Sequence, residues 1–173
     1  MKLNKLALVL GFGLAVAAGS AAANQGGGVV TFNGSIIDAP CSIPPTSEKQ
    51  TVEIGAIATA ELNGGGRSTP RNFNIELEGC DISTLKTVQA TFTGAPSSFS
   101  TGALAINGTA KNAAIVITDA GGTQIKLGDK SAEQTLTAGG NLLRFSAYLQ
   151  GDAANAAVPG KFEAIATFAL NYQ

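Results

Sequence analysis

The sequence predicts an all-β sandwich. Three observations carry that expectation: short stretches in which apolar and polar residues alternate, turn-forming breaks between them, and one pair of cysteines about 40 residues apart. The breaks are Gly64-Gly65-Gly66, Gly94-Ala95-Pro96, Asn107-Gly108, Gly121-Gly122, Gly139-Gly140 and Pro159-Gly160. No long amphipathic helix competes, although residues 56–63 suit a turn or two of helix.

Residues 1–23 read as a secretion signal. Lys2 and Lys5 give a positive start, Leu6 to Ala18 an apolar stretch too short to span a membrane, and Ala21-Ala22-Ala23 a small-residue cleavage site. The mature chain is expected to begin at Asn24, with cleavage after Ala22 the near alternative. No later stretch reaches the roughly 18 to 20 unbroken apolar residues of a membrane helix, so the exported product is expected to be soluble.

Residues 24–36 form an extension with Gly26-Gly27-Gly28 as its only linker-like stretch. It carries a strand in which Val30, Phe32, Gly34 and Ile36 share one face, because strand side chains alternate with a period of two. Local sequence supports two readings about equally. The strand is offered to another chain, or Asn33-Gly34 folds it into a two-residue hairpin. Gly34 itself marks either a shallow place in a receiving groove or a point of flexibility.

Residues 37–173 are expected to form the domain. Val52 and Ile54 alternate with Thr51 and Glu53, and Phe73, Ile75, Leu77 and Gly79 oppose Asn72, Asn74, Glu76 and Glu78. Val88, Ala90 and Phe92 follow among Thr and Gln, Asn107-Gly108 reads as a hairpin turn, and Ile115 and Ile117 resume the pattern. Leu143, Phe145, Ala147 and Leu149 face inward opposite Arg144, Ser146 and Tyr148. Last, Phe162, Ala164, Ala166, Phe168, Leu170 and Tyr172 make one strand running to the last residue but one.

The mature length of about 150 residues suits one core. Lys2 and Lys5 leave with the signal, so nine of the eleven Lys and Arg remain against twelve Asp and Glu, a net charge of about −3. Only 13% of residues are charged and no basic cluster is present, which argues against nucleic acid as a partner. A hydrophobic content of 45% is too high for a disordered chain. Cys41 and Cys80 both lie in the exported part, where an oxidising compartment makes a disulfide the expected state and two buried thiols the alternative. Closing such a loop stabilises a domain by about 4 kcal/mol in the chain-entropy model.

Catalytic motifs are incomplete. Ser83-Thr84-Leu85-Lys86 matches the Ser-x-x-Lys nucleophile pattern, but there is no Ser-Asp-Asn, and Lys86-Thr87 is followed by Val88 rather than Gly. Glu76 and Glu78 read as a solvated sheet face rather than a glycosidase pair. With no histidine, His-dependent triads and the common zinc sites are excluded, so no cofactor or metal is expected. Asn33-Gly34-Ser35 and Asn107-Gly108-Thr109 match glycosylation acceptors without further support. Gly64-Gly65-Gly66 lacks the Lys-Ser/Thr of a phosphate loop and reads as a mobile loop.

Val30-Thr31-Phe32-Asn33-Gly34 with Ile37-Asp38-Ala39-Pro40-Cys41, then Phe73-Asn74-Ile75-Glu76-Leu77 leading to Cys80, and the terminal Ala166-Thr167-Phe168-Ala169-Leu170-Asn171-Tyr172-Gln173 resemble fimbrial subunits of the chaperone-usher pathway. The resemblance spans the mature chain, is nearest to the major rod subunits of P-type pili, and is specific in combination rather than motif by motif. It implies an immunoglobulin-like sandwich lacking its final strand, completed by a donor strand, with one disulfide. It also tips the balance at Asn33-Gly34 towards the exported strand. Val30, Phe32, Gly34 and Ile36 would then fill a neighbour's groove, of which Phe162, Ala164, Ala166, Phe168, Leu170 and Tyr172 form one wall. The partners it implies are further copies of the chain, a periplasmic chaperone, an outer-membrane usher, and adaptor and adhesin subunits. It further implies a non-enzymatic subunit of a surface fimbria that supports adhesion. A minor adaptor or terminator pilin, and a self-complete secreted binding sandwich, are the alternative readings.

Overall fold

A computed structural model of the chain describes residues 27–173; the expected signal segment lies outside the described residues. The chain divides after Ile36 into two units. Within the first, residues 27–36 adopt no regular secondary structure, and Asn33-Gly34 forms no hairpin.

The second unit, Ile37–Gln173, contains α1 (Pro45–Glu48), α2 (Thr59–Leu62), β1 (Arg71–Cys80), β2 (Thr87–Gly94), β3 (Leu104–Ala105), β4 (Asn107–Gly108), β5 (Ala113–Asp119), β6 (Gln134–Thr135), β7 (Gly139–Gly151), β8 (Phe162–Glu163) and β9 (Ala166–Tyr172). The strands form a four-stranded sheet in the order β1-β7-β5-β3, a three-stranded sheet β6-β2-β9 and a two-stranded pair β4-β8. All named pairings are antiparallel. The alternating residues build the core as expected: Ile75 and Leu77 of β1, Val88, Ala90 and Phe92 of β2, Ile115 and Ile117 of β5, and Leu143, Phe145, Ala147 and Leu149 of β7 are all buried. Phe92 of one sheet meets Phe145 of the other edge to face at 5.2 Å, and Phe73 contacts both rings at 6.1 and 5.6 Å. Such aromatic pairs add about 0.5–1.5 kcal/mol beyond the area they bury.

Several local expectations are corrected. Gly79 does not continue the inward face of β1. Its φ of +60° coincides with a register shift between Leu77 and Cys80, a bulge that leaves Gly79 exposed and turns Cys80 inward. Cys80 thereby bonds Cys41, while Ser42 and Glu78 exchange backbone hydrogen bonds of 2.8 and 2.9 Å beside them. Tyr148, expected on a wet face, is buried with Ala103, Ala114 and Val116, its ring 5.5 Å from the Arg67 guanidinium.

Asn107-Gly108 is not a hairpin turn but the strand β4, opposite Glu163 and Phe162, because a distant partner outcompetes the local turn. Gly64-Gly65-Gly66 is a packed turn rather than a loose loop: the Gly66 N–H donates to Leu62 O at 3.1 Å, and the Gly66 carbonyl accepts from Gly151 N–H at 2.9 Å. A side chain at Gly66 would run into the Glu61 carbonyl. The helical turn expected within 56–63 is α2. The strand expected at 51–54 is absent, and its absence defines the site described next.

Candidate functional site: an open groove in the sandwich

The C-terminal strand expected over 162–172 is two strands, β8 and β9, interrupted at Ala164 and Ile165. β9 pairs with β2 along its whole length, from Val88 opposite Tyr172 to Gly94 opposite Ala166. The interruption lies beside Gly94, where a Cβ would stand 2.7 Å from the Ile165 carbonyl. Among the described residues β2 is the only partner of β9 in its sheet, and the other edge of β9 carries backbone groups without a partner there.

Across the groove runs the segment 47–56. Among the described residues, no backbone-to-backbone hydrogen bond involves residues 50–57. Side chains hold the segment to β1 instead. Buried Ser47 Oγ accepts from Glu76 N–H at 2.9 Å, Gln50 Nε2 donates to Asn74 O at 3.2 Å, and Arg71 Nε donates to Ile54 O at 3.3 Å. Ile54 is buried and Val52 half-buried, so the alternation read from the sequence is present without the ladder that normally accompanies it.

Between these rims lies a groove of about 1150 Å³. Its apolar lining comes from Phe73, Phe92, Leu104, Ile115, Ile117 and Ala147, with Phe162, Ala164, Ala166 and Phe168 along the C-terminal rim. A smaller pocket of about 280 Å³ shares Gly55, Ala56, Gly160 and Phe162 with it and is lined further by Ile57, Leu62, Ile106 and Val158. Two unpaired backbone rims with an apolar lining are what an inserted strand satisfies, through ladder hydrogen bonds on both edges and alternate side chains into the core.

The structure brings Phe162, Ala164, Ala166 and Phe168 together on this groove. Leu170 and Tyr172 do not line it; they are half-buried against the core further along β9. The Tyr172 hydroxyl is buried without a hydrogen-bond partner among the described residues, and burial raises its pKa above the ordinary tyrosine value. In the first unit, Val30, Phe32 and Ile36 are 74%, 90% and 104% exposed, and beyond its chain neighbours no described residue comes within 4 Å of where a Gly34 Cβ would stand. Sequence reasoning missed the opposite rim, residues 47–56. Its signal was visible as an alternating stretch, but nothing in that stretch says that its pairing partner is missing.

The remaining motif residues do not converge on a reactive site. The Ser83 N–H donates to Asp81, whose carboxyl is held below its ordinary pKa by that bond, while the Lys86 N–H donates to Gln173 O. Among the described residues, no group of three His, Cys, Asp or Glu is placed to hold a metal ion, and no helix is long and apolar enough to cross a membrane.

Residues 30–173 match the protein family described as "Fimbrial protein". The chain is 65% identical to the "Major MR/P fimbria protein" of Proteus mirabilis (strain HI4320), over the full length of both. Among solved structures it resembles a chain from "Structure of a Chaperone-Usher pilus", with 38% identity, a TM-score of 0.77, and 86% of this chain and 97% of that one covered. It also resembles the P pilus rod subunit PapA, with 34% identity, a TM-score of 0.69, and 78% of this chain and all of that one covered.

Proposed function

The chain belongs to the fimbrial protein family, and on that premise we propose that residues 28–36 of one copy insert into the groove between residues 47–56 and β8–β9 of the next. The protein is a structural subunit of a surface fimbria, a homologue of major pilus subunits with the pilin immunoglobulin-like fold, and it self-associates in the filament. Structural pilins of this family point to a non-enzymatic role, and the incomplete catalytic motifs accord with it.

The observation that supports the insertion is the pairing deficit of the groove: among the described residues, 50–57 on one rim and the outer edge of β9 on the other have no backbone partner, and the lining is apolar. The extension supplies the complement, since Val30, Phe32 and Ile36 are exposed apolar side chains in the alternate positions of one strand face. Burying each contributes about 1.5–3 kcal/mol, offset in part by the cost of ordering the strand. Because donor segment and groove are different surfaces of one chain, the contact is heterologous and does not close, which generates an open fibre. Slow release of the strand adds kinetic durability.

Export follows from residues 1–23 as a signal peptide, leaving 24–36 as the donor extension and 37–173 as the domain. Before assembly the same groove needs a temporary occupant, because open rims and exposed apolar surface promote aggregation. A periplasmic chaperone fills that role, and an outer-membrane usher together with adaptor and adhesin subunits completes the assembly pathway. The test is to express the mature chain with and without residues 24–36 beside such a chaperone and to compare assembly by gel and electron microscopy. Fibres from the full chain alone support the proposal; fibres from the shortened chain contradict it.

A further inference from the structure

Three Asn-Gly pairs occur in the sequence, at 33–34, 63–64 and 107–108, and their surroundings differ. An Asn-Gly pair is chemically labile, because the following backbone nitrogen can attack the asparagine side chain where neither a side chain nor a fixed backbone obstructs it. Asn107-Gly108 is fixed in β4 opposite Glu163 and Phe162, with no room for a Cβ beside the Lys161 carbonyl. Asn63 caps α2 with its N–H on Thr59 O at 3.1 Å, and the turn continues through Gly64 at φ +67° and Gly65, whose Cβ would lie 3.4 Å from Ala153. Asn33 and Gly34 are both exposed, lie in a stretch without regular secondary structure, and have no hydrogen bond among the described residues.

We propose that Asn33-Gly34 is a site of spontaneous deamidation that ages the subunit before it assembles. The Gly34 nitrogen, giving up its proton to base, forms a bond to Asn33 Cγ; the Cγ–Nδ2 bond breaks and ammonia leaves with the proton it needs. Water then opens the resulting five-membered imide at either carbonyl, leaving aspartate or isoaspartate at position 33. Either product places a carboxylate on the strand. Isoaspartate also carries the main chain through the former side chain and lengthens the backbone by one methylene, which disturbs the phase of Val30 and Phe32 against Ile36 on a strand whose faces alternate with a period of two.

The consequence for assembly rests on the proposed insertion of residues 28–36. Once paired on both edges, the strand reacts only after local opening, so insertion protects Asn33. Subunits that wait lose their donor strand, and those already in the fibre keep it.

Peptide mass mapping of the full mature chain, incubated in mildly alkaline buffer as chaperone-bound subunit and as fibre, tests both parts. The expected result in the subunit is a gain of about one dalton at Asn33, roughly tenfold or more faster than at Asn63 or Asn107, with roughly tenfold or greater suppression in the fibre. Enzymatic methylation specific for isoaspartate identifies the lengthened product, and Asn33→Gln abolishes the fast gain because its longer side chain cyclises far more slowly. A rate at Asn33 no greater than at Asn107 overturns the modification itself. A fast gain that is equal in subunit and fibre leaves the chemistry standing and overturns the inserted-strand reading on which its consequence rests.

Discussion

Residues 51–54 and the Phe73–Leu77 part of β1 carry the same message in sequence, apolar side chains alternating with polar ones, yet only the second is a strand. Phe73, Ile75 and Leu77 lie in register with Phe145, Leu143 and Asn141 of β7, so each inward side chain comes with a satisfied backbone. Val52 and Ile54 send their side chains toward the same core but find no ladder; Ser47, Gln50 and Arg71 tether their segment from one side only. The difference teaches that side-chain burial and backbone pairing are separable. Burial here is supplied by the chain's own core, whereas residues 50–57 have no backbone-to-backbone partner among the described residues.

The largest expected effect comes from breaking the closed side. Phe145→Ala empties the centre of the aromatic cluster and is expected to cost about 3–5 kcal/mol in urea unfolding, whether or not a donor peptide is present. Phe168→Ala, on the half-buried open side, is expected to cost visibly more with a peptide of residues 28–36 bound than without it. Equal penalties for Phe168→Ala in both conditions would show that the groove does not hold the peptide.

Next in size is the disulfide. Replacing Cys41 and Cys80 by Ser is expected to lower stability by about 2–4 kcal/mol, because the closed loop constrains the unfolded chain. On the donor side, a peptide carrying Phe32→Ala is expected to bind the groove about 10 to 100 times more weakly in a titration, corresponding to the loss of one large buried side chain. An unchanged affinity removes Phe32 from the interface.

The smallest effect concerns Tyr172. Its buried hydroxyl has no partner among the described residues, so Tyr172→Phe is expected to be neutral or stabilising by up to about 1 kcal/mol. Because burial raises its folded-state pKa, the unfolded chain loses the tyrosine proton first; this contribution is full below the ordinary value of 10.0 and is lost as pH rises through the folded value. Stability of the wild type should therefore fall at alkaline pH more steeply than that of Tyr172→Phe, and identical alkaline profiles would contradict this.

The closed half of the sandwich was legible because its pairing partners lie in the same chain and each writes the same period of two. Gly79 was misread because one positive φ shifts the phase by a residue, and that shift is what turns Cys80 towards Cys41. Asn107-Gly108 was misread as a turn because its true neighbour, Phe162, is remote in sequence. Of the residues expected along the C-terminal wall, Phe162, Ala164, Ala166 and Phe168 line the groove, and Leu170 and Tyr172 pack against the core further along β9. The rim at 47–56 was illegible as a rim, since an unpaired edge leaves no mark on the residues that form it.

Amide hydrogen exchange on the subunit tests the central claim most directly, read at residues 51–54 and at the outer edge of β9, with and without the peptide 28–36. Fast exchange in its absence, slowed by the added peptide while the amides of Phe73, Ile75 and Leu77 stay protected throughout, is the predicted result. Protection at residues 51–54 before any strand is added, unchanged by the peptide, would contradict the account.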